Sequence, residues 1–191
     1  MQYKLTTPCT AEDLAPLKAG DTVLLSGVVY TARDQAHKRM LEALDKGEKL
    51  PFDLEGSAIY YVGPTPERPG EIIGSAGPTT SGRMDAMSPR LLDLGNKIMI
   101  GKGKRDAAVK EAVVRNGAVY LAALGGAGAL MAQSVKTLEV IAWPDLGCEA
   151  VRRLTVEEMP LTVILDAHGG DLYLSGPAAY KRQQGEVAKE L

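Results

Sequence analysis

The sequence has few of the residues that build disulfide scaffolds, zinc sites and nucleic-acid surfaces. It contains two cysteines and two histidines in 191 residues, too few for a disulfide framework and a poor basis for a classical zinc site. Its 22 basic and 24 acidic residues give a net charge of -2, so no basic field attracts nucleic acid or anionic lipid. We interpret Cys9 and Cys148, far apart in the chain, as reduced thiols of a cytoplasmic protein.

The sequence also lacks a strongly hydrophobic run. The first residues have no apolar core behind a positively charged start, which argues against a secretory signal. Residues 116–135 carry no charge, but their glycines, alanines and polar side chains are weakly hydrophobic for a bilayer span. We predict instead a buried strand over residues 118–124, a glycine turn and a helix over residues 127–136.

Strands interspersed with helices predict one mixed α/β domain over residues 1–191. The first segment is predicted to be an arm followed by a short helix over residues 11–18. Residues 22–30 form an apolar run typical of a buried strand, and Thr31 and Asp34 are interpreted as the N-cap and capping partner of a helix ending before Gly47. Further strands are predicted over residues 58–62, 97–100, 138–143, 151–156, 161–166 and 171–174. Further helices are predicted over residues 104–116 and 178–189.

Two glycine-rich segments resemble cofactor motifs without completing them. Residues 126–131 begin like a dinucleotide fingerprint, but Met131 replaces the third glycine. Residues 101–104 suggest a phosphate loop, but Gly103 stands where Ser or Thr should bind magnesium. There is no Gly-x-Ser-x-Gly elbow, and neither cysteine has an obvious neighbouring histidine.

Cationic and hydroxyl residues follow three of the predicted strands, in segments 31–39, 77–85 and 100–103. Arg33 lies near a helix start, where backbone N–H groups also favour an anion. Arg83 follows two adjacent hydroxyls and could bind a carboxylate with two parallel hydrogen bonds. Lys102 lies between two glycines, which would let a ligand approach the backbone. If these loops converge, their natural ligand is a small dianion, such as a dicarboxylate or a phosphate ester.

Simpler interpretations exist for each residue. Arg33 and Arg39 could be solvated helix residues, and His37 could be a hydrogen-bonded core histidine. Residues 78–82 could be an ordinary turn, and the glycines of residues 101–103 could serve a bend between a strand and a helix. His168 is interpreted as an exposed hairpin residue.

Five segments, in order along nearly the whole chain, resemble the class I fumarase C-terminal domain. That domain also occurs as the separate β subunit of two-subunit class I fumarases and of L(+)-tartrate dehydratase. The matching segments are residues 26–39 (SGVVYTARDQAHKR), 77–84 (GPTTSGRM), 100–103 (IGKG), 120–127 (YLAALGGA) and 145–150 (DLGCEA).

The resemblance implies a three-layer β/β/α swivelling domain and hydro-lyase activity on malate or tartrate. It also implies a 4Fe–4S cluster held by three cysteines of a partner α subunit, and a heterotetramer of two α and two β chains. Cys9 and Cys148 cannot supply a three-cysteine set, which agrees with that division.

The resemblance also assigns roles by motif position. Arg33, Arg83 and Lys102 correspond to contacts with the substrate carboxylates, and Thr80 to a hydroxyl donor beside them. Thr79 occupies the position proposed for the catalytic base, although a threonine hydroxyl is intrinsically a weak base. Asp34 and His37 are candidates for orienting Arg33.

The leading functional prediction is the β subunit of a class I fumarate hydratase. The β subunit of L(+)-tartrate dehydratase is an alternative, because both substrates are four-carbon dicarboxylates. From other classes, the chain could be a non-catalytic module that binds small anions or a scaffold that docks a partner.

Overall fold

The computed structural model describes residues 1–123 and 126–190, and its mixed α/β fold confirms the predicted class. Leu124, where the strand predicted over residues 118–124 ends, lies outside the described residues together with Gly125. The strands are β1 Gln2–Thr6, β2 Thr22–Thr31, β3 Ala58–Tyr60, β4 Ile98–Gly101, β5 Val119–Ala122, β6 Val135–Ala142 and β7 Val151–Leu165. The helices are α1 Ala11–Leu14, α2 Asp34–Asp45, α3 Ser88–Asp93, α4 Ala107–Arg115, α5 Gly128–Gln133 and α6 Leu172–Glu190.

The sheet closes on itself into a five-stranded barrel. Strands β1 to β5 lie side by side and parallel, and β7 pairs antiparallel with β5 and with β6. β7 also pairs antiparallel with β2 along most of its length, from Thr22 opposite Thr162 to Thr31 opposite Arg152. This second pairing closes the circuit of β2, β3, β4, β5 and β7, while β1 and β6 extend the sheet beyond the barrel.

The central strands are buried on both faces, which explains their continuous apolar runs. Successive side chains alternate between two hydrophobic clusters, as the period of a strand requires. Tyr60, Ile98 and Ile100 belong to one cluster, which also takes in β1 and β2. Ile59 and Met99 belong to the other, which packs under α2, α3 and α4. The strands are therefore covered by barrel packing on one side and by helices on the other.

Several predicted boundaries are wrong. Residues 151–156 and 161–166 form one strand, β7, rather than two, and the arm at the start of the chain is strand β1. The strand predicted over residues 171–174 is the start of helix α6, with a single bridge between Leu165 and Asp171. Helix α3 was not predicted, because Pro89 and the short apolar stretch after it resemble a turn.

Thr31 is not the N-cap of α2. It is the last residue of β2, and its hydroxyl accepts a hydrogen bond from the Arg152 backbone N–H (3.0 Å) while donating to the Ala150 carbonyl (3.3 Å). Arg33 is the N-cap residue, and it makes no side-chain capping bond. Pairing with β7 carries β2 through Thr31, and the helix starts three residues later.

The described part of the uncharged stretch over residues 116–135 contains the predicted strand and helix, β5 and α5. The helix ends at Gln133 rather than at residue 136, because Val135 begins β6 by pairing with Val156. Among the helices described, none combines the length and the apolar character needed to cross a bilayer.

Gly27 permits a tight contact at the bulge where β2 passes β1 and β7. Its φ is +100°, and an added Cβ would lie 2.6 Å from the Thr7 Oγ1 and 2.9 Å from the Thr7 carbonyl oxygen. We therefore expect Gly27→Ala to lower the free energy of unfolding by about 2–4 kcal/mol, measured by denaturant titration. Gly47→Ala is the control, because Gly47 has φ +70° and no atom within 4 Å of the added Cβ. Equal losses in the two variants would contradict the steric explanation.

Candidate functional site

Two of the three segments predicted to carry the site follow neighbouring parallel strands, and the third, over residues 77–85, crosses the ends of those strands. Tyr30 pairs with Ile59 in β3, and Tyr60 pairs with Ile100 in β4, so the carboxyl ends of β2, β3 and β4 lie at one edge. The chain leaves these strands into Arg33, Gly63 and Lys102. Ligands commonly bind beyond the carboxyl ends of parallel strands, which makes this edge the candidate site.

The segment over residues 78–81 crosses this edge. Pro78 forms a bridge with Val62, and the Thr79 N–H donates to the Tyr61 carbonyl (2.8 Å). One step further, Thr80 bridges Lys102 in parallel. The backbone of Thr79 and Thr80 is thus paired with the ends of β3 and β4. Residues 78–82 are therefore not an ordinary turn.

Gly101 allows this segment to approach β4 closely. The Lys102 N–H donates to the Ser81 Oγ (3.0 Å), and the Ser81 N–H donates to the Lys102 carbonyl (2.9 Å). A Cβ at Gly101 would overlap the Ser81 Oγ. Gly101 is therefore required for contact between segments, whereas Gly103, with φ +87°, serves the bend after the strand.

Arg33 is largely buried, with its side chain 18% exposed, so it is not a solvated helix residue. Its Nη2 lies 3.5 Å from the Glu149 Oε1 and 3.7 Å from the Asp34 Oδ2. Its Nη1 lies against Gly63, where a Cβ would be 2.7 Å away. The buried Arg33 Nε has no hydrogen-bond partner among the described residues. One donor of this charged group is thus buried without a partner in the described part of the chain.

His37 and Asp34, the candidates for orienting Arg33, lie beside it. His37 is fully buried, and its Nδ1 lies 3.0 Å from the Arg33 carbonyl oxygen, to which it donates. With its proton on Nδ1, the neutral ring has an unprotonated Nε2 that can only accept a hydrogen bond, and the structure describes no partner for it. Burial lowers the pKa of His37 from 6.5 to about 4, so the ring is neutral at pH 7. His37 is a core histidine that contacts the Arg33 backbone rather than its guanidinium.

The other predicted site residues are more accessible. Thr80, Arg83 and Lys102 are exposed, and Thr79 is half-buried. Arg83 lies in the 3₁₀ turn Ser81–Met84, which begins directly after Thr80. Within the described parts of the chain, the side chains of these four residues make no hydrogen bond or ion pair. Cationic and hydroxyl groups are therefore available at this edge.

Beneath the site, a buried network that the sequence did not reveal holds the crossing segment. The Arg105 Nε donates to the Asp85 Oδ1 (2.5 Å) and the Nη2 to the Ser88 Oγ (2.9 Å). The guanidinium also lies over the rings of Tyr61 and Tyr120, at 5.4 and 5.0 Å from their centroids. Arg105 follows Lys102 and Lys104, so by sequence it resembles part of an exposed basic run.

The connection between β6 and β7 packs against the start of α2. Arg39 makes a two-pronged bond with Asp145 (3.0 and 2.6 Å) and lies 6.0 Å from the Trp143 ring centroid. The Glu149 Oε2 accepts the Gln35 N–H (2.8 Å) at the first turn of α2. His168, by contrast, is exposed, as predicted, but its turn leads from β7 into α6 and is not a hairpin.

Two cavities, of about 560 and 460 Å³, flank the loop over residues 64–75. The first is closed by α5 and the second by β6 and the connection between β6 and β7. Neither is lined by Arg33, Thr79, Thr80, Arg83 or Lys102. The candidate site is therefore distinct from both cavities.

No group of three or more His, Cys, Asp or Glu side chains in the described part of the chain could hold a metal ion. Cys9 is buried, and burial raises its pKa to about 11. Cys148 is exposed, and neither cysteine forms a disulfide. These residues do not fit a cluster bound by three cysteines.

Residues 1–176 match the family model described as Fumarase C-terminus. The chain belongs to this family, as its five motif segments predicted.

Known members of the family include proteins of two kinds. Fumarate hydratase 2 of Leishmania major is 39% identical over 168 residues, which cover 85% of this chain and 29% of that protein. The putative L(+)-tartrate dehydratase subunit beta of Methanocaldococcus jannaschii is 42% identical over 170 residues, 86% of this chain and 87% of that protein. L(+)-tartrate dehydratase subunit beta of Escherichia coli is 32% identical over 196 residues, 100% and 96% of the two chains. This chain thus spans less than a third of the fumarate hydratase but nearly all of each β subunit.

The neutral, buried His37 makes stability depend on pH. Because its pKa falls from 6.5 to about 4 on folding, the unfolded chain binds a proton between these values that the folded chain does not. We expect the free energy of unfolding to fall by on the order of 3 kcal/mol more in the wild type than in His37→Gln as pH drops from 6.5 to 4. Denaturant titrations across this range measure it. Parallel profiles for the two proteins would contradict the assignment.

Proposed function

We propose that this chain is the β subunit of a two-subunit class I fumarate hydratase, which converts fumarate and water reversibly to L-malate. The observation that carries the proposal is the meeting of Arg33, Thr79, Thr80 and Lys102 at one edge of β2, β3 and β4. The family match and its fumarate hydratase and tartrate dehydratase relatives support the same class of reaction. The chain would contribute the part of the site that binds the dicarboxylate.

The substrate is a dianion, and Arg33, Arg83 and Lys102 would bind its carboxylates. Arginine suits this task because its planar fork matches a carboxylate with two hydrogen bonds. Thr80 would donate its hydroxyl beside them. The exposed side chains of Arg83 and Lys102, for which the described residues supply no partner, support this assignment.

Hydration adds a hydroxyl group to one alkene carbon and a proton to the other, and the reverse reaction removes both. The difficult proton is on a carbon next to a carboxylate, and negative charge develops on that carboxylate as the proton leaves. Arginine and lysine side chains fixed around the carboxylate would stabilise this charge. Thr79 is our candidate for the group that removes the proton. The Thr79 hydroxyl is a weak base, so a residue of the partner would have to accept the hydroxyl proton of Thr79.

A partner α subunit would complete the enzyme. The described residues of this chain offer no ligand set for a 4Fe–4S cluster, so we assign the cluster to that subunit. The site residues also lie on an exposed edge that a partner could cover. We further propose a heterotetramer of two α and two β chains in the cytoplasm. We also propose that residues 1–191 form a single three-layer β/β/α swivelling domain.

L(+)-tartrate is the second candidate substrate, and a specific observation favours it. The relatives matched along nearly their whole length, at 87% and 96%, are β subunits of tartrate dehydratase. Tartrate and malate are both four-carbon dicarboxylates, so the same cationic residues would bind either. The contact that recognises the second hydroxyl of tartrate would then belong to the partner.

The first test is the activity of the native complex. We expect anaerobic affinity purification of this chain from its native host to recover a cysteine-bearing partner and iron. The complex should hydrate fumarate faster than it dehydrates L-tartrate. Faster turnover of tartrate would favour the second candidate. A chain without partner, iron or turnover would overturn the proposal and favour a module that binds small anions.

A second test removes one cationic contact. We expect Arg83→Ala to lower the turnover of the complex by about 30- to 1000-fold, because a charge-assisted contact that tightens in the transition state contributes about 2–4 kcal/mol. Subunit assembly, measured by size-exclusion chromatography, should not change. The matched control is Arg90→Ala, since Arg90 is exposed and pairs with Asp45 away from the strand ends. Near-native turnover of Arg83→Ala would contradict the assignment.

A further inference from the structure

Glu149 connects two parts of the candidate site through one carboxylate. Its Oε2 accepts the backbone N–H of Gln35 (2.8 Å), and its Oε1 lies 3.5 Å from the Arg33 Nη2. Arg33 itself gives α2 no side-chain cap, so Glu149 supplies an acceptor to the first turn from outside the helix. The bond to Gln35 fixes the carboxylate and thereby fixes where its second oxygen meets the guanidinium.

The segment that carries Glu149 is itself held firmly. Arg152 donates to the carbonyls of Gly147 (2.9 Å), Cys148 (3.0 Å) and Ala150 (3.0 Å). The bond between Arg39 and Asp145 ties the same segment to the middle of α2. Glu149 therefore projects from a braced support rather than from a free loop.

The other neighbours of Arg33 restrict it without directing its charge. Gly63 leaves room for the side chain, and a Cβ there would meet both Arg33 and the Cys148 carbonyl oxygen, at 2.7 and 3.3 Å. Asp34 lies further from the guanidinium, at 3.7 Å, and its Oδ2 has no hydrogen-bond partner among the described residues. Glu149 is thus the nearer carboxylate and the one fixed by a hydrogen bond.

We infer that Glu149 is a positioning residue that sets the orientation in which Arg33 meets a substrate carboxylate. The inference rests on the proposed function, since Arg33 acts on substrate only if the chain binds a dicarboxylate. Glu149 has no contact with substrate in this assignment and acts through the guanidinium.

The negative charge of Glu149 has a second, opposite effect. It repels a dianionic substrate, so removing the charge would raise the affinity of the site for the dianion. The same removal would also release Arg33 from its fixed orientation, which would lower that affinity. Positioning and repulsion predict opposite changes in affinity. The direction of the affinity change in Glu149→Gln distinguishes the two effects. Gln removes the negative charge but keeps an oxygen acceptor for the Gln35 N–H, so the bond to the first turn of α2 is retained.

The test uses the assembled complex of this chain and its partner. We expect Glu149→Gln to raise KM for the dicarboxylate about tenfold and also to lower kcat, because a displaced Arg33 would stabilise less of the charge that develops in the transition state. The dissociation constant for succinate, a dicarboxylate that cannot react, should rise by a similar factor in calorimetry. Glu149→Ala should show the same rise and also a lower midpoint of thermal unfolding, because the Gln35 N–H loses its acceptor.

A double variant tests whether the effect passes through Arg33. In the background of Arg33→Ala, we expect Glu149→Gln to change KM and succinate affinity by less than about twofold. The matched control is Glu157→Gln, because Glu157 is exposed, lies 3.6 Å from Lys136 and sits within β7, directly after the Val156 that pairs with Gly27. It should change neither constant. An unchanged or lower KM in Glu149→Gln, or an undiminished effect in the double variant, would overturn the inference.

The two proposals fail separately. If the wild-type complex turns over neither fumarate nor tartrate, the proposed function is wrong, but a succinate affinity that depends on Glu149 through Arg33 still supports the positioning role. If Arg33→Ala impairs turnover and Glu149→Gln changes nothing, the proposed function stands and the positioning role is wrong.

Discussion

The antiparallel pairing of β2 with β7 is the constraint on which the rest of the structure depends. It closes five strands into a barrel and continues as far as Thr31 opposite Arg152. That register places the start of β7 beside the start of α2, and so brings Glu149 to Arg33. Without this pairing, the parallel strands would still align their ends, but the connection between β6 and β7 would have no reason to lie against the site.

The candidate site divides its work between a buried support and an accessible surface. Arg105, Asp85 and Ser88 hold the crossing segment from below, in a region where each donor meets an acceptor or an aromatic ring. Arg83 and Lys102 lie above it with exposed side chains. Such an arrangement combines fixed backbone geometry with accessible cationic groups.

The sequence predicted the mixed α/β class and most of the element positions, and it marked Arg33, Thr79, Thr80 and Lys102 as candidate site residues, because strand ends with glycine and cationic residues are local patterns. Whether their loops converge depends on the order of the strands, which the sequence left open. It could not predict the unity of β7, since Pro160 and the polar residues before it resemble a turn, although pairing with β2 and β5 on either side keeps the strand extended. It also missed Arg105, and it included Glu149 only as one residue of the segment over 145–150, without a role. Their importance comes from contacts across 20 and 116 residues of chain, to Asp85 and Arg33, which no spacing rule detects.

The burial of Arg105 has a consequence for the response of the molecule to ionic strength. Its guanidinium is fully buried and pairs with a carboxylate that is 11% exposed, so dissolved ions cannot approach the pair and screen it. The pairs of Arg39 with Asp145 and of Arg90 with Asp45 lie at the surface, where salt weakens them. A concentrated salt solution would therefore weaken the surface ion pairs of α2 and leave the buried pair of Arg105 and Asp85, beneath Thr80 and Lys102, in place.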